Sequence, residues 1–470
     1  MTAAVTDDIT PLIDHAHLQR YYKRRAWARV FWVYFMLLVI SVLCLGVFYT
    51  AFIASLKSDP TERPFSFVPD QISPRNWVLA GKLGEAGGGS TLFGGWREGG
   101  EVVFEVKMGA EVAADIMPPE VTVPRDQSAT RPRAAYAVDY TVISKVEEIG
   151  AGDAAQFKLF KGPNAEDVTG PWKTYRFTLT YLPGADGKAP EIDNLPLTLT
   201  MPKTQGIVSA SLPPTKIERR GRAASWDNAA PGALGYAFNN YFRVFSETRN
   251  DDTGQSLFAT WIMNSFKLSF GRVILNVFVA ITAGYALARL DLGIWKRPIF
   301  FLLIFVMVVP GQVLFISNYL VLKNIGLLNT MWGAILIAAV SAGQVFVMKQ
   351  FFESIPKTLE EAAFIDGASR LQVLWYVILP LSVPAVLTVV LTSFQGAWND
   401  FFWPLIILQS PQEALALPVG LLSFRTVYGA AGDWGLILAG AFISVAPIIV
   451  MFFVFQRYFV TSDVGAGVKG

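Results

Sequence analysis

From Trp27 to Leu56 the chain carries one charge, Arg29, and from Phe31 it reads FWVYFMLLVISVLCLGVFYTAFIASL without interruption. At 1.5 Å per helical residue, about 20 apolar residues cross the hydrocarbon core of a bilayer. Inside hydrocarbon every backbone N–H and C=O must be satisfied within the segment, so a run of this kind is confined to helix. A cleaved signal peptide is the rival reading, but its apolar core is typically about 7–15 residues. The run is therefore read as a retained first span. The basic cluster Arg20, Lys23, Arg24 and Arg25 just before it holds the N-terminus in the cytoplasm.

Five further hydrophobic runs follow, at about 262–287, 298–320, 329–349, 381–408 and 435–456. Six spans return the C-terminus to the side on which the chain began. The cations agree with this topology. Arg289, Lys296, Arg297, Lys349, Lys357, Arg370, Arg457 and Lys469 fall on the inner side, whereas the two short outer connections hold only Lys323 and Arg425. Charged residues make up 16% of the chain, against roughly 25% in soluble domains. A net charge of +2 does not suggest a nucleic-acid partner. The single cysteine, Cys44, excludes an internal disulfide and argues against a cysteine metal site. The two histidines, His15 and His17, lie in the polar N-terminal tail and read as solvated residues, so no metal ligand set and no catalytic residue is expected.

Between the first two spans the character changes. In Tyr175–Tyr181 apolar and polar residues alternate, as they do in Leu195–Met201, and Val102–Met108 and Tyr136–Val142 resemble them. Such period-two patterning, bounded by turns such as Pro183-Gly184 and Asp186-Gly187, predicts half-buried antiparallel strands. Gly84–Gly100 reads as a flexible loop. The chain thus divides into a cytoplasmic tail (1–26), a first span (27–56), an extracytoplasmic region (57–256), the remaining spans (257–457) and a second cytoplasmic tail (458–470).

Polar residues interrupt the spans: Asn264, Asn276, Gln312, Gln344, Gln395, Asn399 and Asp400. A carboxylate within a span faces a cavity, a pathway or a partner, which singles out Asp400; a place near the outer interface, or a structural pairing with a neighbour, is the plainer reading. Gln312, Gln344, Gln395, Asn399 and Asp400 are the candidates for a translocation path. Pro310-Gly311 predicts a kink in the third span. On the predicted inner face stands TLEEAAFIDGASRLQVLWYVILP, Thr358–Pro380. It reads as a short helix to Ile365, a break at Gly367, and a second helix to Ile378 stopped by Pro380. Acids beside small alanines are the shape of a docking element for a soluble partner.

Glu361-Ala362-Ala363, Asp366-Gly367-Ala368, Val377, Leu379 and Pro380 resemble the EAA loop of ABC-importer permeases, with valine in place of the usual isoleucine. Asn264-Ser265, Tyr285–Arg289, Trp398–Phe401, Trp403–Ile406, Gln456–Val460 and Ala466–Gly470 resemble the maltose-type sugar permeases. The resemblance implies an all-α polytopic membrane protein, a type I importer permease of six transmembrane helices, interrupted here by an inserted β-rich extracytoplasmic domain. It implies a bacterial inner-membrane subunit that moves a sugar, an oligosaccharide or a related polyol or glycoside, by alternating access. Its expected partners are a second permease, two cytoplasmic ATPase subunits, an extracytoplasmic sugar-binding protein and membrane lipid. ATP and Mg would sit on the ATPases, since no G-x-x-x-x-G-K-[ST] occurs here, and the chain itself would bind no cofactor. The coupling loop (351–380) would seat Glu361, Ala362, Ala363, Asp366 and Gly367 in a cleft of the ATPase, with Leu379 and Pro380 leading into the fifth span.

The family has a short outer loop where this chain has its long one. Asn76-Trp77 and Asn239–Phe245 both resemble that loop's Asn-aromatic segment, which points to an insert over about 78–235. The competing readings are a membrane sensor with an extracytoplasmic ligand-binding β domain, and a channel working without ATP.

Overall fold

The computed structural model describes residues 15–60, 65–73, 101–122, 141–161, 164–181, 198–218, 223–226, 232–250, 253–431 and 433–460. The loop Gly84–Gly100, the turns at 183–187, Asn76-Trp77 and the tail 466–470 lie outside these residues. The chain forms two compact units, Met1–Ile53 and Ala54–Gly470. The first is nearly all of helix α1 (His15–Leu56), whose stretch from Arg29 is long and apolar enough to cross a membrane. Its apolar residues cover every side of the helix, and Phe35 stacks on Phe31 and meets Trp32 edge-on. A helix without a polar stripe suits lipid and not a water-facing surface.

The second unit begins with the predicted β-rich region. One antiparallel sheet has the order β3 (Thr141–Lys161), β4 (Asn164–Tyr181), β1 (Glu101–Ala110), β6 (Gln205–Ala210). The other has the order β2 (Glu120–Thr122), β5 (Thr198–Thr200), β8 (Ala223–Ser225), β7 (Lys216–Glu218). The alternation read in the sequence is the inside–outside alternation of these strands. Phe104, Val106 and Met108 of β1 and Tyr175 and Phe177 of β4 are buried, while Val103, next to Phe104, is exposed. On the outward face Glu105 pairs with its cross-strand neighbour Arg176 at 2.7 Å. The Phe157 ring lies where Cβ atoms at Gly109 and Gly206 would overlap it, so glycine at these positions lets the sheet close around an aromatic core. The expected strands over 136–142 and 195–201 are described only from Thr141 and at Thr198–Thr200.

Helices α2 (Gly232–Ala237) and α3 (Asn239–Glu247) lead into α4 (Leu257–Arg289), the spine of the membrane region. Ser256 caps α4 by accepting from the Ala259 N–H. Then come α5 (Lys296–Val308), α6 (Phe315–Asn324), α7 (Met331–Leu336), α8 (Ala342–Ser354), α9 (Lys357–Ile365), α10 (Arg370–Val373), α11 (Leu379–Leu381), α12 (Val383–Trp398), α13 (Phe402–Ile407), α14 (Leu417–Ala431) and α15 (Trp434–Val460). Toward its N-terminus α4 buries Phe258 and Trp261 against Phe394, Trp398, Phe424 and Leu436. Toward its C-terminus it buries Tyr285, Leu287 and Ala288 against Met348, Phe352, Val373 and Ile378. A Cβ at Gly284 would stand 2.9 Å from the Met348 Cβ, so α4 and α8 approach as closely as a small residue permits.

The helices depart from six simple rods. Among the described residues three are long and apolar enough to cross a membrane, or five if each of two bent pairs is one span. At Pro310 the expected kink is a break, with the two sides 89° apart. The stretch 329–349 is divided between α7 and α8, and the Ser341 N–H in the gap donates to Asn276 Oδ1 at 3.1 Å. A side-chain amide thus satisfies backbone that a continuous helix would have satisfied itself.

Pro380 does not stop its helix. The path continues to Leu381, and an 80° bend separates it from α12 at Ser382. The ring of a helical proline clashes with the carbonyl four residues earlier, here Tyr376. Leu374–Ile378 is wound as a π-turn, which widens the helix at that place.

Candidate functional site

The segment expected to couple is a helix–turn–helix braced from behind. Gly367 has φ +83° with nothing near its missing Cβ, so the turn depends on its backbone freedom and not on space. The N–H groups of Asp366, Gly367 and Ala368 close onto the carbonyls of Ala362, Phe364 and Ala363. Ser369 and Gln372 form a reciprocal capping box that starts α10. Ala363 and Leu379 are half-buried against the core, whereas Glu361, Ala362, Asp366, Gly367 and Pro380 are exposed. With them stand Leu371 and Ile365, the latter 86% exposed.

The bracing residue is Glu360, which the sequence reading passed over. Its Oε1 lies 2.7 Å from Arg289 Nε at the end of α4, a close charge pair without hydrogen-bond alignment. The Arg289 guanidinium also donates to the carbonyls of Phe352 and Ile355. The two acids in EEAA therefore divide: Glu360 faces inward, and Glu361 is exposed. The signal in the sequence was Arg289, closing an apolar helix directly before the first inner loop.

The polar residues within the spans fall into separate groups. Asp400 Oδ2 accepts from Arg272 Nη1 at 2.5 Å, with the side chains 12% and 5% exposed. Arg272 also donates to the Ala334 carbonyl, at 3.1 Å from Nε and 2.7 Å from Nη2. Arg272 was legible as a cation within the largely apolar run of α4, which it shares with Lys267. Gln344 belongs to a chain that crosses three helices. Asn276 donates to Ser393 Oγ at 2.9 Å, Ser393 donates to Gln344 Oε1 at 2.8 Å, and Gln344 donates to Thr392 Oγ1 at 3.1 Å. Gln395 lines a 340 Å³ cavity with Thr392, Phe394, Ile448 and Phe452. Gln312 is exposed just past the Pro310 break, and Asn399 is exposed at the end of α12. Among the described residues no hydrogen bond or ion pair joins the side chains of Gln312, Gln395 or Asn399 to Gln344 or Asp400.

Asn264 and Ser265 have a stitching role. Asn264 donates to the carbonyls of Glu413 and Leu415, and Ser265 Oγ accepts the Leu417 N–H. A further node forms at α3. Arg243 pairs with Glu247 at 2.6 Å and with Asp433 at 2.5 Å, and Lys216 of β7 reaches Glu247 at 3.4 Å. Burial alone would raise the Glu247 carboxyl, but the two cations, Arg243 foremost, hold it down to about 2. Asn240 donates to the carbonyls of Ser55 and Lys57 and accepts from Arg243. The Asn-aromatic segment thus ties Ser55 and Lys57 to the β-rich region and to the start of α15.

Residues 280–462 match the family described as binding-protein-dependent transport system inner membrane component. The arabinooligosaccharides transport system permease protein AraQ of Halalkalibacterium halodurans is 32% identical over 265 residues, which are 56% of this chain and 89% of that one. The sulfoquinovosyl glycerol transport system permease protein SmoH of Agrobacterium fabrum is 31% identical, over 54% of this chain and 85% of that one. A crystal structure of a bacterial ABC transporter involved in the import of the acidic polysaccharide alginate contains a chain that is 27% identical. It covers 47% of this chain and 79% of its own length, with a TM-score of 0.40. AraQ and SmoH are transport system permease proteins, and they give the sensor reading no support.

Proposed function

This chain belongs to the family of binding-protein-dependent transport system inner membrane components, and on that premise we propose that Glu361, Ala362, Asp366 and Gly367 couple it to a cytoplasmic ATPase. The chain is a multi-pass inner-membrane permease subunit of an ABC importer of the carbohydrate-uptake type, and it is not itself an enzyme. Its cargo is a sugar, an oligosaccharide or a related polyol or glycoside, moved by alternating access.

The observation that carries the coupling assignment is the contrast between the two neighbouring acids. Glu360 is held inside by Arg289, while Glu361, two small residues and the exposed Ile365 face outward. A braced helix with an acid and an alanine on its free side can receive a push from a partner and pass it to α4. In this reading six spans cross the membrane, both termini are cytoplasmic, and the β-rich insert (about 78–235) is extracytoplasmic. The partners are a second permease, two ATPases carrying ATP and Mg, and an external sugar-binding protein, all within lipid; no nucleic acid takes part. Closure of the ATPases on ATP moves the coupling loop, and hydrolysis resets it. Gln395 and the cavity beside it are the strongest candidates for a path wall, ahead of Gln312, Gln344 and Asn399, while Asp400 is claimed by Arg272.

Substitution of Glu361→Lys or Gly367→Asp is expected to abolish ATP-driven uptake while membrane insertion continues. Co-purification of the wild type is expected to bring down an ATPase and a second permease. Normal uptake in both variants refutes the coupling role. We further assign the insert a contact with the binding protein or the partner permease. Deletion of 80–233 with uptake and binding-protein association both unchanged refutes that assignment.

A further inference from the structure

The β-rich region contains a cavity of 430 Å³ that no part of the transport reading uses. In the order β3-β4-β1-β6, strands β3 and β6 are the two edges. Even so, a Cβ at Gly206 of β6 would overlap the Lys158 carbonyl of β3, so the sheet rolls until its edges meet. The cavity lies by this seam, and residues 57–59 with Ser66, Val68, Asp70 and Gln71 form its other wall. Its size is within the range of small-molecule sites, roughly 300–1,000 Å³.

The group that gives it a chemistry is Lys158. Its ammonium is shielded from solvent and makes no hydrogen bond to any described residue. Asp59 Oδ2 stands 3.9 Å away, and the two side chains are 21% and 12% exposed. A lysine ammonium has three hydrogens to donate, and a buried donor left unmatched is costly. Asp167 and Gln156 add polar atoms to the lining, and Phe157 and Ile207 add apolar surface.

A hydroxyl group suits this arrangement, because it accepts from the ammonium and donates to the carboxylate at once. A free anion suits it less, since Asp59, Asp70 and Asp167 line the cavity against only Lys57 and Lys158. No set of acids, histidines or cysteines among the described residues is arranged to hold a metal ion. We propose that this cavity binds a neutral sugar, with hydroxyls bridging Lys158 and Asp59 and an apolar ring face against Phe157 and Ile207. The site is separate from the membrane path, so the insert would have a ligand of its own.

Equilibrium dialysis of the assembled transporter in nanodiscs tests this with labelled D-glucose, L-arabinose and maltose, and with D-glucuronate as the anionic probe. Saturable binding of at least one neutral sugar is expected, weakened tenfold or more in Lys158→Met and in Asp59→Asn, with ATP-driven uptake retained. Oxidative footprinting of the wild type needs no substitution: the sugar should protect Met201, which also lines the cavity. The proposal is overturned if no neutral sugar binds, if only glucuronate binds, if both variants bind as the wild type does, or if Met201 stays unprotected. Failure of the transport reading looks different, as a loss of ATP-driven uptake by the wild type.

Discussion

Arg289 at the end of α4 lies 2.7 Å from Glu360, the residue before the exposed Glu361, and the two side chains are 4% and 9% exposed. The same guanidinium donates to the carbonyls that end α8. One cation therefore joins the membrane spine, the preceding helix and the loop beyond it. A buried pair adds little net stability over apolar residues, but removal of one partner strands the other charge, at about 3–5 kcal/mol.

Glu360→Gln is accordingly expected to lower the melting temperature of the detergent-solubilised protein well below that of Glu361→Gln, which removes an exposed group. Uptake should fall in both, with loss of fold only in the first. Equal melting temperatures would show that the pair does not brace the loop.

At Gly367 the left-handed backbone angle, with open space around it, isolates conformational strain from packing. Gly367→Ala should cost about 1–2 kcal/mol, and Gly367→Asn less, because asparagine tolerates this region. Uptake retained in the order Gly, Asn, Ala is the expected result; an alanine variant better than the asparagine one would contradict it.

Asp400 and Arg272 separate structure from transport. Asp400→Asn alone should destabilise by about 3–5 kcal/mol, whereas the double replacement Arg272→Met with Asp400→Leu should recover much of that loss. If the double variant is folded and transports, Asp400 holds the helices together and carries no cargo. A folded double variant without uptake would return it to the path.

Ser393 donates to Gln344 and accepts from Asn276, and so links α4, α8 and α12. Ser393→Ala and Gln344→Leu should couple in a double-mutant cycle by about 0.5–3 kcal/mol. Strict additivity of the two would mean that the chain of hydrogen bonds does not form.

Glu247 has a folded-state pKa of about 2, below the ordinary carboxylate value of 4.5, so protonation favours the unfolded chain. Its contribution is complete above about pH 5 and is lost as the pH falls toward 2. Melting temperature should decline across that window in the wild type and decline less in Glu247→Gln. Parallel curves would count against the Arg243–Glu247 pairing.

Much of the site was legible because its signals are local. The turn at Gly367, the small residues beside Glu361 and the alternation of β1 and β4 each need only a few neighbouring residues to be read. Glu360 and Glu361 were not separable in this way, since two adjacent acids differ only in what lies across from them. Pro380 was misjudged for a related reason. Proline removes one helical bond, and a π-turn just before it, supported by packing of Leu374 and Ile378, accommodates the ring.

Sequence alone was enough to establish that this chain lives in a membrane, that a β-rich region interrupts it, and that Thr358–Pro380 is a polar helix–turn–helix. Those properties follow from length, periodicity and charge, which are additive along the chain. It took the folded chain to show that Asp400 belongs to Arg272, that Gln344 shares Ser393 with Asn276, and that Arg289 holds Glu360. Each joins residues at least 49 positions apart in the chain, and no local pattern records which polar groups will meet once burial forces them to find partners.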